Sequence, residues 1–365
     1  MSFIIKTTKG KKLIGPSHPV FIIAEMSANH GHDIKRAYKI IDAAAKAGAD
    51  AIKLQTYTPD TITINSDKKY FQIKVNDAWK GRTLYQLYGK AYTPWDWQPK
   101  LKKYAESKGL ICFSTPFDTT AVDFLEKIKI PLYKVASFEV VDIPLLKRIG
   151  KTKKPVIISR GMASLPELKL AVKTLKKHGC PSIAILHCIS SYPAKYEEMN
   201  LKTIPDMAKK FKTAVGISDH SPGITVPVGS VVLGASIIEK HLTLSRKDGG
   251  PDAAFSIEPE EFKNLVSSVR NAEAALGRPF YGSGAKESEN IRWDSRKGQF
   301  LATSDLRIGS IVLQSKPLAS PDKQKLAEII SETIKAEGQS LLDFNQDVEQ
   351  WQNRVLSLRL WNPEQ

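Results

Sequence analysis

Apolar runs of five to seven residues recur along the chain, separated by stretches with helical spacing. Eight can be read: Val20–Met26, Ala51–Gln55, Leu110–Pro116, Leu132–Ser137, Val156–Gly161, Ile183–Cys188, Ala214–His220 and Ser236–Leu242. Runs of this length, bounded by turn residues, predict buried parallel strands. Between them, Ile34–Gly48 places apolar residues at helical spacing and closes on glycine. Leu165–Gly179 carries Ser164 as a candidate N-cap, Pro166 near its start and Gly179 at its end. Glu258–Gly277 has acidic residues in its first turn and a closing glycine. Eight strands alternating with helices predict an α/β (β/α)8 TIM barrel. The rival, a doubly wound open sheet, lacks its glycine-rich phosphate loop after the first strand.

One connection is too long for a simple turn. After Ala51–Gln55 the chain runs from Thr56 to about Pro94 and contains "WKGRTLYQLY", Trp79–Tyr88. A connection of that size predicts a functional loop or lid. The aromatic cluster Tyr92–Trp97 reads as helix-start packing. After Gly282 the pattern changes. The expected organisation is a barrel over 1–282, a linker over 283–297 and a small C-terminal module over 298–365.

Every apolar run also turns polar at the same end. The ends carry Glu25; Lys53 and Gln55; Ser114 and Thr115; Lys134 and Ser137, with Glu139 just beyond; Ser159 and Arg160; His187, then Ser190, Ser191 and Tyr192; Ser218, Asp219 and His220; and Glu239, Lys240 and His241. In a barrel these are the C-terminal strand ends, where catalytic groups collect. Side chains alternate along a strand, so Glu239 shares a face with His241, Ser218 with His220, and Lys53 with Gln55. If these faces point into the barrel mouth, His220 and His241 converge from adjacent strands. Two such imidazoles suit a divalent metal such as manganese, zinc or cobalt; the alternative is a pair of hydrogen-bonded polar histidines. Lys53, Lys134 and Arg160 among hydroxyls suit a phosphate or carboxylate pocket; the alternative is separate salt-bridged residues. Glu25 reads as a general base or as the partner of a barrel lysine.

Composition narrows the picture further. The chain has 365 residues, 25% of them charged, with a net charge of +16. The basic excess is scattered and fits small acidic substrates, with no signature of nucleic-acid binding. Three separated cysteines form neither a metal motif nor a disulfide framework; Cys112 and Cys188 read as small buried hydrophobes. No apolar run reaches the length of a membrane span, and the N-terminus lacks a secretory segment, so a cytoplasmic location is expected.

Eight ordered segments resemble the sialic acid synthase family. They are "FIIAEMSANH" (Phe21–His30), "DAIKLQTY" (Asp50–Tyr57), "STPFD" (Ser114–Asp118), "YKVASFE" (Tyr133–Glu139), "SRGMAS" (Ser159–Ser164), "SSYPA" (Ser190–Ala194), "GISDH" (Gly216–His220) and "IIEKHLTL" (Ile237–Leu244). The resemblance covers about 17–282. It implies condensation of phosphoenolpyruvate with an N-acetylated amino sugar to a nonulosonic acid. Within the family, "WKGRTLYQLY" and "DGGPDAAFSIEP" (Asp248–Pro259) are most similar to members that make pseudaminic acid from 2,4-diacetamido-2,4,6-trideoxy-altrose. Neuraminate and legionaminate formation are the close alternatives. Further ones are a sugar-binding barrel that has lost turnover and a metal-dependent aldolase with another acceptor.

The resemblance also implies roles by position. His220 and His241 would hold the divalent metal, with manganese preferred and magnesium or cobalt as substitutes. Lys53, Thr115, Lys134, Ser137, Ser159, Ser190 and Ser218 match positions around phosphoenolpyruvate. Glu25, Gln55, Glu139, Tyr192 and Asp252 match positions near the sugar or the reacting carbons. Of all these, Glu25, Lys53, Glu139 and Tyr192 are the expected catalytic set. Ser190 stands where neuraminate-forming members carry asparagine. Family members usually end in an antifreeze-like domain whose arginine, in an "RPG" motif, reaches a partner's site in a domain-swapped dimer. Here Phe300–Leu313 resembles the start of that domain, but no "RPG" follows. A homodimer is expected, and its swapped form is in doubt.

Overall fold

The structure, a computed structural model, describes residues 3–7, 10–73 and 81–281. The chain divides into two units, Met1–Gly277 and Arg278–Gln365. The expected linker and C-terminal module, with the antifreeze-like stretch, lie outside the described residues.

In chain order the elements are β1 (Phe3–Thr7), β2 (Gly10–Ile14), β3 (Phe21–Glu25), α1 (Ile34–Ala47), β4 (Ala51–Thr56), α2 (Pro59–Ile62), α3 (Leu84–Ala91), α4 (Gln98–Ser107) and β5 (Ile111–Pro116). Then come α5 (Thr119–Lys127), β6 (Tyr133–Val135), α6 (Ile143–Lys151), β7 (Val156–Ser159), α7 (Leu165–Lys177) and β8 (Ile183–Cys188). The last are α8 (Thr203–Phe211), β9 (Ala214–Asp219), α9 (Thr225–Val232), β10 (Ile237–His241) and α10 (Pro259–Leu276). Strands β3 to β10 close into a parallel barrel, with β10 pairing both β9 and β3. Each of the eight apolar runs thus becomes one barrel strand; six are trimmed at their ends, Ile183–Cys188 is unchanged as β8, and Ala51–Gln55 gains Thr56 in β4.

Alternation along these strands sorts the core into two. Ile22, Ile52, Val135, Ile158, Ile185, Ile217 and Ile238 face outward, against the helices. Phe21, Ile23, Ala51, Phe113, Leu132, Ile157, Ala184, Leu186, Ala214 and Ile237 face inward. Burying each large aliphatic side chain contributes about 1.5–3 kcal/mol. The antiparallel hairpin β1–β2 adds Phe3, Ile5 and Ile14 to the inner cluster. Lys12 of β2 also reaches Asp50, just before β4, at 2.8 Å. The hairpin therefore stops the N-terminal end of the barrel, which leaves the other end to open.

Local signals explain where elements stop. Asp33 caps α1 through the Lys35 amide, and Gly48 ends it at φ +87°. Ser164 and Glu167 form a capping box on α7, and Glu258 with Glu261 does so on α10. Gly216 answers to a close approach: a Cβ there would lie 2.1 Å from the Ile237 carbonyl oxygen of the adjacent strand. Among its described residues, the long connection after β4 holds two short α-helices, α2 and α3, the second capped by Thr83 and Gln86. Among the described residues no helix is long and apolar enough to cross a membrane.

Candidate active site

The inward face changes chemistry toward the C-terminal strand ends. Above the apolar layers, the strands present Glu25, Lys53, Thr115, Lys134, Ser159, Ser218, Glu239 and His241, all buried. A cavity of about 300 Å³ opens over this layer. Lys53, Gln55, Lys134, Ser137, Ser159, Cys188, Tyr192, Ser218, Glu239 and Asp252 line it, together with both histidines.

The floor is a charge quartet. The Lys53 ammonium lies 2.9 Å from Glu25 and 3.3 Å from Glu239, and donates to the Thr115 hydroxyl at 3.3 Å. Lys134 donates to Ser159 at 2.7 Å and lies 3.6 Å from Glu239. The Ser218 hydroxyl donates to the same Glu239 oxygen at 2.9 Å, while its other oxygen is buried without a hydrogen-bond partner. Burial opposes the charge on Lys53, but Glu239 and Glu25 outweigh it and hold the ammonium above its ordinary pKa. Burial lowers Lys134, with Glu239 offsetting only part. Burial raises Glu25, again only partly offset by Lys53. Glu239 ends below its ordinary value, because two lysines overcome its burial.

Gln55 ties this floor to one wall. Its amide donates to Glu25 at 3.0 Å and to Ser27 at 2.9 Å. The Ser27 hydroxyl in turn donates to Asp252, whose pKa burial pushes upward. Ser27 sits just past β3 at φ +46° and was missed from sequence, although "EMSANH" contains it. On the opposite wall the Ser190 hydroxyl donates to Ser137 at 2.9 Å. Gly161 packs so closely there that a Cβ would meet the Ser137 Cβ at 2.2 Å. Glu139 opens the turn after β6, with one oxygen buried and without a hydrogen-bond partner. Desolvation pushes its pKa up to about 7. Tyr57, Leu87 and Tyr88, from the long connection, complete the lining over the β4 side.

Glu25, Thr115, Glu139 and Ser190 do not themselves line the cavity, and Arg160 and Cys188 depart from the sequence reading. Arg160 turns aside, donating to His187 at 3.2 Å and to the Gly161 carbonyl at 3.0 Å. It is not part of the cavity wall, because at the end of β7 it is Ser159 that faces in. Cys188 is buried but lines the cavity, beside the site instead of within the outer wall.

His220 and His241 converge, with ring centroids 5.3 Å apart. The Nδ1 of His220 lies 2.9 Å from the Ile189 carbonyl, which can only accept, so the proton sits on Nδ1 and Nε2 keeps its lone pair. The Nδ1 of His241 is buried without a hydrogen-bond partner. Burial pushes His220 down to about 4 and His241 well below its ordinary value, so both are neutral. Neutral imidazoles are the form that binds a divalent metal, and this pair, one ring oriented by the Ile189 carbonyl and the other with an unpartnered buried Nδ1, fits one. Among the described residues no group of three or more His, Cys, Asp or Glu side chains forms a ready-made metal cage. The Tyr192 ring lies 4.3 Å from the His220 ring, tilted 48° to it, and Phe255 lies 4.9 Å from His241.

The sequence matches the NeuB family over residues 40–281. It is 47% identical to the pseudaminic acid synthase of Campylobacter jejuni, over 71% of this chain and 75% of that protein. The chain belongs to the NeuB family. Its NeuB barrel is also 39% identical to the N,N'-diacetyllegionaminic acid synthase of Legionella pneumophila, over 73% of this chain and 76% of the relative. The solved N-acetylneuraminic acid synthetase of Leptospira borgpetersenii, in complex with citrate, superposes with a TM-score of 0.69 at 36% identity. That match covers 79% of this chain and 95% of the other. A short match to the connector region of the ATP-dependent RNA helicase HrpB, over residues 285–318, falls outside the NeuB barrel and outside the described residues.

Proposed function

We propose that the protein condenses phosphoenolpyruvate with the open-chain form of an N-acetylated amino sugar, releasing phosphate and a nonulosonic acid. The sugar is 2,4-diacetamido-2,4,6-trideoxy-altrose and the product pseudaminic acid. The observation that carries this reading is the buried pair Lys53 and Lys134, two ammonium groups sharing one carboxylate among hydroxyl donors. Lys134 in particular is fully buried with Glu239 offsetting only part of its desolvation, and such an ammonium suits a small, highly charged anion. Glu25, already raised by burial, is the quartet member that gains a proton most readily; with it neutral, the floor carries net positive charge. The 47% identity to a pseudaminic acid synthase favours that sugar over the legionaminate precursor.

The bonds change as follows. Carbon 3 of phosphoenolpyruvate attacks the aldehyde carbon, forming the new carbon–carbon bond. Water adds to carbon 2, and the resulting tetrahedral centre expels inorganic phosphate. Lys53 and Lys134, with Ser159 and Thr115, hold the anion and oppose the charge that builds on it. Ser137, Ser190 and Ser218 orient it from the sides. Gln55, Asp252 and Tyr192 bound the sugar's side of the cavity. Glu139, with a pKa of about 7, accepts the proton of the attacking water. His220 and His241 are the residues that would hold a divalent metal, manganese by preference. Such an ion would supply Lewis-acid polarisation for the aldehyde.

Phosphate release tests the reading. With phosphoenolpyruvate and a panel of amino sugars, release should depend on the sugar, stop after metal removal and return with manganese. Sugar-dependent release from rigorously metal-free protein overturns the metal assignment. Release with no sugar preference, or none with any sugar, overturns the synthase reading.

A further inference from the structure

Next to the two imidazoles lies an ion pair that no part of the chemistry above uses. Lys240 and Asp219 are register partners on β10 and β9. Both side chains are 0% exposed and point out of the barrel, away from the cavity, with Nζ 2.5 Å from Oδ2. The same ammonium also donates to the Ser221 carbonyl oxygen. The other Asp219 oxygen accepts from the Ser221 amide at 3.0 Å. One lysine therefore grips the chain on both sides of His220, and that lysine is the residue immediately before His241. The carbonyl of His220 itself accepts from the Ala194 amide at 3.1 Å, so the peptide is held from a third direction.

A buried ion pair is a poor device for stability alone. Its desolvation cost cancels much of the attraction, and apolar replacements are often tolerated. What an ion pair does better than an apolar contact is fix distance and direction. Here it fixes β9 against β10 at the one level where both strands release an imidazole into the cavity.

We propose that Lys240 and Asp219 are positioning residues that set the spacing of His220 and His241 for a shared divalent cation. The inference rests on the reading of these histidines as the metal site. Supporting groups behind metal ligands typically govern about 10- to 100-fold in metal affinity.

The test uses the full chain and manganese alone as probe. Lys240→Met by itself strands a buried carboxylate, so the informative protein is the neutral pair Asp219→Asn with Lys240→Met. Manganese affinity is read from the free-ion electron paramagnetic resonance signal. Phosphoenolpyruvate affinity in chelator and the thermal midpoint are read on the same samples. The expected result is manganese binding weakened about 10- to 100-fold, with phosphoenolpyruvate affinity in chelator within about twofold of the parent. Manganese binding within about twofold of the parent overturns the proposal. Parallel loss of both affinities also overturns it, since that reports a general structural role. His220→Ala and His241→Ala separate the two levels. If these leave the parent's manganese affinity unchanged, the metal reading fails and the proposal fails with it. If they abolish binding while the neutral pair keeps it, the proposal alone fails.

Discussion

Lys134 is the residue whose environment is most specific to an anion. Its ammonium is buried, its shared carboxylate is 3.6 Å away, and its pKa is lowered by burial. Lys134→Met should weaken phosphoenolpyruvate binding by about 2–5 kcal/mol, the usual cost of deleting one partner from a buried charge cluster. Calorimetric titration measures this, and an unchanged dissociation constant contradicts the assignment. Glu139 makes a claim about pH. Burial raises its carboxyl to about 7, so below that pH it is protonated and cannot accept a proton. As a base it makes kcat/KM rise with pH through about 7. Glu139→Gln should flatten that limb and lower the rate by about 10²- to 10⁴-fold. A limb that survives in the variant assigns the titration to another group. At this scale the sequence was legible wherever a residue type and a strand end coincided, as at Lys53, Ser218 and His241. It misplaced Arg160 because position alone does not say which of two neighbours turns inward; the pleat gives that place to Ser159. It passed over Ser27, whose hydroxyl joins Gln55 to Asp252, because a serine two residues past a strand carries no signal by itself.

At the scale of elements, the eight strands were readable because each is buried on both faces and so stays apolar until its C-terminal end. Helix ends were readable from their caps, Asp33 and Gly48 on α1 being the clearest. The β1–β2 hairpin was not. Its apolar residues, Phe3, Ile5 and Ile14, find their partners in the barrel interior, and that contact is long-range. Helices α2 and α3 were hidden for another reason, since four and eight residues are too few to show a period. The junction of β9 and β10 offers a sharp test. Gly216→Ala sets a methyl group 2.1 Å from a backbone carbonyl that cannot move without opening the barrel. The expected cost is about 1–3 kcal/mol or more, seen as a lowered thermal midpoint. An unchanged midpoint would mean the two strands are not packed as described.

At the scale of the molecule, the barrel stops one end with a hairpin and gathers charge at the other. Its walls bring Lys53, Lys134, Glu239 and both histidines together from four strands, β4, β6, β9 and β10 and their ends. None of them is near another in sequence except within β10, so the site exists only when the barrel closes. That is why the type of each residue could be read from the chain while its partners could not. Which sugar fits depends on the connection after β4 and the loop holding Asp252, where one-dimensional pattern says least. The measurement that reaches the central claim most directly is the mass of the product formed from phosphoenolpyruvate and 2,4-diacetamido-2,4,6-trideoxy-altrose, taken alongside phosphate release. The expected result is one nonulosonic acid, carrying the intact sugar plus the three-carbon unit, for each phosphate released. Phosphate accompanied by free pyruvate and unchanged sugar would contradict it.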